Sequence, residues 1–335
     1  MVAVIGTLLA LLVFFALFGI FVVEFVPLWM TDNETQFTNY AATSFAQFKG
    51  GIDTQYALGG PPALGTTFTL TSNGVPLFAQ GTQGVLNFVP QTCTNGFYVR
   101  GTTGASPSNY GQPVSPSFCV FENQSISAGP GGSRPFFLSA ASGTLQMFLP
   151  NRYYTSETFY FEDDGVIQMQ EPGYQVLAFP PPFNVTRIAS NTTVTSSFLQ
   201  LYGNATTVIS QGSEELYSHL RYTQDVTSNG YNTTARAFKP FNYTFEVGTE
   251  FPCAWARFLR SQMNASGLPY ALNPTAGTTS YNWTDPVNHT ATVPYVGSCN
   301  NPFGMTVVLI LNIFSLSYVN LFYAGAQVTI GIGGT

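Results

Sequence analysis

From residue 2 to residue 30 the chain is apolar at almost every position, and Glu24 is its only charge. Such a run exceeds the roughly 20 residues that carry a helix across a bilayer. Past Pro27 the apolar positions thin out but keep a helical rhythm. Phe37, Ala41, Phe45, Phe48, Ile52 and Tyr56 recur three or four residues apart, with Thr, Gln and Asn filling between them. Gly50-Gly51 interrupts this pattern, and Gly59-Gly60-Pro61-Pro62 ends it. The spacing predicts one long helix over about 2–58, kinked where Pro27 removes a hydrogen bond. At 1.5 Å per residue it would run roughly 85 Å. Its first half is apolar all round and its second half has one apolar face. The alternative is an anchor and a separate packed helix, joined by a loop at 27–32.

From residue 66 the period drops to two. Residues 66–72 alternate, Asn73-Gly74 reads as a hairpin turn, and 75–79 as the returning strand. Residues 84–89 and 97–100 read as strands, and the Gly/Ser/Pro-rich stretches 102–116 and 125–135 as loops. A second hairpin is predicted from 155–162, the turn Asp163-Asp164-Gly165, and 166–170. Pro180-Pro181-Pro182 is a stiff break. Further strands are expected at 193–202, 206–210, 217–226, 233–238 and 243–247. Residues 252–263 return to helical spacing, with Trp255, Phe258, Leu259 and Met263 on one side, Arg257 and Arg260 elsewhere, and Gly267 as a stop. The tail, 304–335, is rich in Val, Ile, Phe, Tyr and Thr and is broken by Asn312, Ser315, Ser317 and Asn320. That composition favours two or three buried strands over a second membrane helix. The fold class is therefore α+β, mostly β: a long N-terminal apolar and amphipathic helix at 1–58, then a β-sandwich-like extracellular head at 59–335, divided near 180.

Composition narrows the function. Charged residues make up 8% of the 335 residues, the net charge is −6, and only Lys49 and Lys239 are lysines. No basic stripe can be drawn, which disfavours nucleic acid as a partner. Four cysteines, Cys93, Cys119, Cys253 and Cys299, fit two disulfides in an exported chain, with Cys93–Cys119 and Cys253–Cys299 as the local pairing among three connectivities. Asn-x-Ser/Thr sequons occur at Asn33, Asn123, Asn184, Asn191, Asn204, Asn232, Asn242, Asn264, Asn282 and Asn288. With an apolar N-terminus they fit a surface glycoprotein bearing N-linked glycans. The carboxylates Glu157, Glu162, Asp163 and Asp164 cluster around the second hairpin. They offer oxygen ligands for Ca²⁺, but the EF-hand spacing is missing, and the expectation is a solvated turn. Glu214-Glu215 reads the same way. His219 and His289 sit in no nucleophile or metal motif, so an enzyme is not expected and no catalytic residue, metal or cofactor is assigned.

The N-terminal segment Met1-Val2-Ala3-Val4-Ile5-Gly6-Thr7-Leu8-Leu9, the run to residue 30 and the helical continuation through Tyr56 resemble the archaeal type IV pilin-like surface proteins, archaellins included. The segment Phe251-Pro252-Cys253-Ala254-Trp255-Ala256-Arg257-Phe258 is similar to a short helix of large members of that group. The resemblance implies a leader removed before Met1 and a helix that sits first in the membrane, then in a filament core with the β heads outside. The basic-Gly processing site of such leaders is absent, as expected of a chain whose leader is missing, and Ile5 stands where bacterial pilins commonly carry a glutamate. Gly6, Ala10, Leu17 and Phe21 are the candidate helix-packing positions. The expected partners are other copies of the chain and, before assembly, the membrane. A glycan or surface ligand for the head is a further expectation. Two other readings stay open: a membrane-anchored adhesin, and an accessory subunit of a membrane complex or viral envelope.

Overall fold

The computed structural model describes residues 2–60, 62–90, 98–101, 120–128, 136–171, 173–188, 191–229, 241–249, 251–266, 270–274, 279–284, 290–295, 305–313 and 316–331. Helix α1 spans Val2–Ala57 and continues through Pro27 and through Gly50-Gly51, so neither the loop at 27–32 nor the expected interruption occurs. It stops where the sequence places Gly59 and Gly60, which take positive φ of 74° and 89°. The Gly60 amide donates back to the Gln55 carbonyl at 2.9 Å. This is a left-handed glycine stop that satisfies the last carbonyls.

The strands follow in chain order: β1 (Leu64–Thr69), β2 (Val85–Val89), β3 (Tyr98–Gly101), β4 (Val120–Ala128), β5 (Phe136–Ser142), β6 (Thr144–Leu149), β7 (Glu157–Glu162), β8 (Gly165–Gln170) and β9 (Tyr174–Phe179). After the triple proline come β10 (Phe183–Ile188), β11 (Asn191–Gly203), β12 (Thr206–Ile209), β13 (Ser213–Asn229) and β14 (Phe241–Thr249). Helix α2 (Pro252–Ser266) is followed by β15 (Tyr270–Pro274), β16 (Thr279–Thr284), β17 (Thr290–Tyr295), β18 (Met305–Ile313) and β19 (Leu316–Ile330). Three sheets result, ordered β1-β13-β19-β11-β10, β12-β2-β6-β7-β8-β9 and β15-β18-β14-β4-β5-β3, with β16-β17 as a separate pair. The tail forms strands, as its composition predicts. The proline break at 180–182 is where the chain leaves the second sheet and enters the first. The expected loop at 125–135 is corrected in part, because residues 125–128 lie in β4 and pair with β14 and β5. Residues 102–116, 233–238 and Gly267 fall outside the described residues.

Two cores lie on opposite faces of one sheet. Along β11, Val194 and Phe198 share a core with β14, α2 and the first half of β19. One residue on, Leu199 and Leu201 belong to the other core, with α1 and the second sheet. In β19 the same switch falls between Tyr323 and Ala324, directly opposite, with no slip in register there. Successive side chains point to opposite faces, so the parallel pair β11–β19 buries one face along its first half and the reverse face along its second. The amphipathic stripe of α1 supplies Phe37, Ala41, Phe45, Phe48 and Ile52 to the second core, all buried. Phe45 meets Phe68 edge-on at 5.2 Å, and Phe48 meets Phe161 edge-on at 5.1 Å. Replacing Phe48 by Ala removes a ring that nothing can refill, so thermal unfolding of the head should register a loss of about 3–5 kcal/mol.

Candidate functional site

The first half of α1 is bare. Leu17 is 63% exposed, and Val4, Ile5, Leu8, Leu9, Leu12 and Phe14 are exposed to a similar degree. Gly6 has no neighbouring atom where a side chain would begin, Ala10 is exposed, and Phe21 stacks on Phe25 of its own helix and meets Trp29 and Phe78 edge-on. The four candidate packing positions thus lie along a helix long and apolar enough to cross a membrane.

Burial begins at Val26 and Met30, which pack on Val75. One turn later Glu34 is wholly buried, and its carboxylate is filled by donors from the head. The Arg152 amide reaches both oxygens at 3.0 Å, the Tyr153 and Tyr154 amides reach Oε2 at 2.7 and 2.8 Å, and the Thr82 hydroxyl reaches Oε1 at 2.5 Å. Three successive amides converging on one carboxylate form an anion nest. The helix provides the anion, and the β6–β7 connection provides the nest. Around it the Asn151 side chain donates to Thr38, and the Thr31 hydroxyl to the Tyr153 carbonyl. Further along, the buried Gln55 amide donates to the Ser218 carbonyl at 2.8 Å and accepts from the Leu220 amide at 2.8 Å. It stands in for a strand peptide beside the irregularity in β13.

The second hairpin has the predicted turn, with Asp163 and Asp164 both at positive φ of 48° and 57° and Glu162 paired to Gly165. It is not solvated, which corrects the expectation: Glu157, Glu162, Asp163 and Asp164 are all buried. The turn is pushed between the two cores, and each carboxylate serves a different element. Asp164 accepts from Lys49 of α1 at 3.0 Å and from Ser197 of β11 at 3.1 Å. Glu162 accepts from the Trp255 indole of α2 at 2.9 Å and from Thr249. Asp163 faces Glu122 of β4, whose other oxygen accepts from Gln124. Glu157 accepts from Gln168 and Gln170. With its carboxylates so divided, the cluster converges on no common point, and among the described residues no group of His, Cys, Asp and Glu is arranged to hold a metal.

Burial sets the charge state here. It pushes Glu122 up to about 7 and Asp164 up to about 6, the latter against the opposing pull of Lys49. Burial, reinforced by the Glu122 charge, holds Asp163 well above the carboxylate range. If all were ionised, neither Asp163 oxygen nor Glu122 Oε2 would have a donor. A proton on Asp163 supplies one.

Of the sequons, Asn184, Asn204 and Asn264 present exposed side chains, and Asn33 is half-buried in α1 beside the nest. Asn123, Asn191, Asn242 and Asn282 lie on strands, and Asn232 and Asn288 fall outside the described residues. Cys253 is buried in α2. Cys93, Cys119 and Cys299 lie outside the described residues, so both expected bridges do too, and no disulfide occurs among the described residues. Sequence reasoning missed Glu34, Glu122 and Gln55. None of the three carried a clear signal, since Glu34 is one of four carboxylates on α1, with Glu24, Asp32 and Asp53. Searches of protein-family profiles, of curated proteins and of solved structures gave no match to this chain.

Carboxylates near pH 4 in the unfolded chain titrate at about 6–7 in the head. The folded chain therefore holds more protons between those limits. Stability is full at the acid end and falls as pH rises through about 7. Thermal unfolding of the full chain in detergent should give a higher midpoint near pH 4.5 than near pH 7.5, and Glu122→Gln should flatten the difference by raising the neutral value. Lys49→Met leaves Asp164 without its counter-charge and should cost about 3 kcal/mol at neutral pH, less in acid.

Proposed function

We propose that the chain is the structural subunit of an extracellular, pilus-like filament, assembled by packing the bare halves of α1 against those of other copies while the β heads, carrying N-linked glycans, stay outside. It works as a structural part and not as an enzyme. The observation that carries this reading is the contrast along one unbroken helix, apolar but for Glu24 and largely uncovered by the described residues up to residue 25, then locked into the head by Glu34, Lys49 and Gln55. A helix of that kind is equally suited to lipid and to a bundle of like helices, so it sits in the membrane before assembly and in the filament core after it. Gly6 and Ala10 allow close approach, and Leu17 and Phe21 fill the contact. The resemblance to archaeal pilin-like proteins supports the same reading.

A membrane-anchored adhesin would need the same helix but no contact between copies. The two readings separate on Leu17→Glu. In a filament subunit this substitution should abolish filaments in electron micrographs of cell-surface material while the head keeps its unfolding midpoint. Filaments of normal length and number in the variant would count against the assembly role.

A further inference from the structure

Between β1 and β2 the chain makes a narrow finger. The expected turn at Asn73-Gly74 is corrected: both residues lie in the outgoing arm, and the reversal comes at Pro76-Leu77-Phe78, closed by Val75 and Ala79 through paired bonds of 2.9 and 3.0 Å. The arms run so close that a side chain at Gly74 or Gly81 would meet backbone oxygen at 2.5 or 2.0 Å, which leaves no room for anything but glycine. The tip has proline at the second turn position and positive φ, 69°, at the third, where Leu77 stands instead of the glycine that conformation favours. Leu77 is fully exposed. Phe78 turns the other way and meets the rings of Phe18 and Phe21 at 5.9 and 6.2 Å.

The height of this tip on α1 is informative. About 20 helical residues fill the hydrocarbon of a bilayer, and the uncharged stretch of α1 able to fill it runs through Val23. Glu24, exposed, is the first charge beyond that point. Trp29 and Tyr153, each more than two-fifths exposed, lie further toward the head, at the depth where amphipathic rings sit among headgroups. Phe78, against Phe18 and Phe21, is level with the hydrocarbon edge, and Leu77 lies beside it on a convex tip. A fluid apolar phase covers a convex tip without needing a complementary shape. Through Phe18, Phe21 and Phe78 the apolar surface of α1 reaches the finger.

We infer that the finger tip, Pro76-Leu77-Phe78, is a second lipid-contacting element that dips into the outer edge of the bilayer beside α1 and sets the depth at which the helix stops. This rests on the membrane-inserted stage of the proposed function and not on filament assembly. The full chain, reconstituted in phosphatidylcholine–phosphatidylglycerol vesicles, would carry p-benzoylphenylalanine in place of Leu12, Leu77 or Leu58, and lipid adducts would be read by mass spectrometry. Leu58 is the control: it is an exposed leucine 34 residues past Glu24, about 50 Å along the helix. Adducts at 12 and 77 but not at 58 are expected. An adduct at 12 with none at 77 overturns the inference and leaves the membrane stage standing. No adduct at 12 overturns the membrane stage itself, and the inference with it.

Discussion

One helix must satisfy two environments, and everything else in the molecule follows from that constraint. Up to Trp29, α1 leaves sixteen large apolar side chains exposed. At about 1.5–3 kcal/mol for each such side chain moved out of water, covering this surface is worth on the order of tens of kcal/mol. Nothing among the described residues covers this surface. The second half of the same helix is covered from within along its apolar stripe, which packs into the second core.

The head is built to hold that helix rigidly. An apolar stripe alone fixes a helix against a sheet only loosely along its axis, because one turn of sliding re-creates similar contacts. The polar contacts remove that freedom. Glu34 fits one nest of amides, Lys49 reaches one buried carboxylate, and Gln55 completes one strand, so the three together set a single register. The turn at Asp163-Asp164 extends the same lock to the rest of the head. It joins α1, β11, α2 and β14 through buried carboxylates, at a cost in desolvation that protonation lowers.

Much of this was legible in the sequence, and the parts that were not share a cause. The long helix, its stripe, α2 and the hairpin at 157–170 rest on local periodicity and on turn chemistry, which single segments carry in full. The fate of Asp163 and Asp164 does not. Two adjacent aspartates in a tight turn describe the backbone equally well in water or in a core, and only Lys49, Ser197 and Glu122, distant in sequence, decide which. The switch of buried face at Phe198/Leu199 and Tyr323/Ala324 is hidden for a related reason: along each strand it is a single break in the alternation, and which face each half buries is decided by α1, α2 and β14, distant in sequence. The finger at 70–84 was misread because Asn-Gly is a strong turn signal, whereas here Gly74 serves close approach between the arms.

What covers the first half of α1 decides between a filament subunit and a solitary anchored chain. Electron cryomicroscopy of native cell-surface material containing this chain tests it most directly. The account predicts filaments whose axis is a bundle of the helices up to residue 29, each contacted by those of other copies, with the β heads radiating outward. Finding the chain only as separate copies, each with that helix surrounded by lipid or detergent, would contradict it.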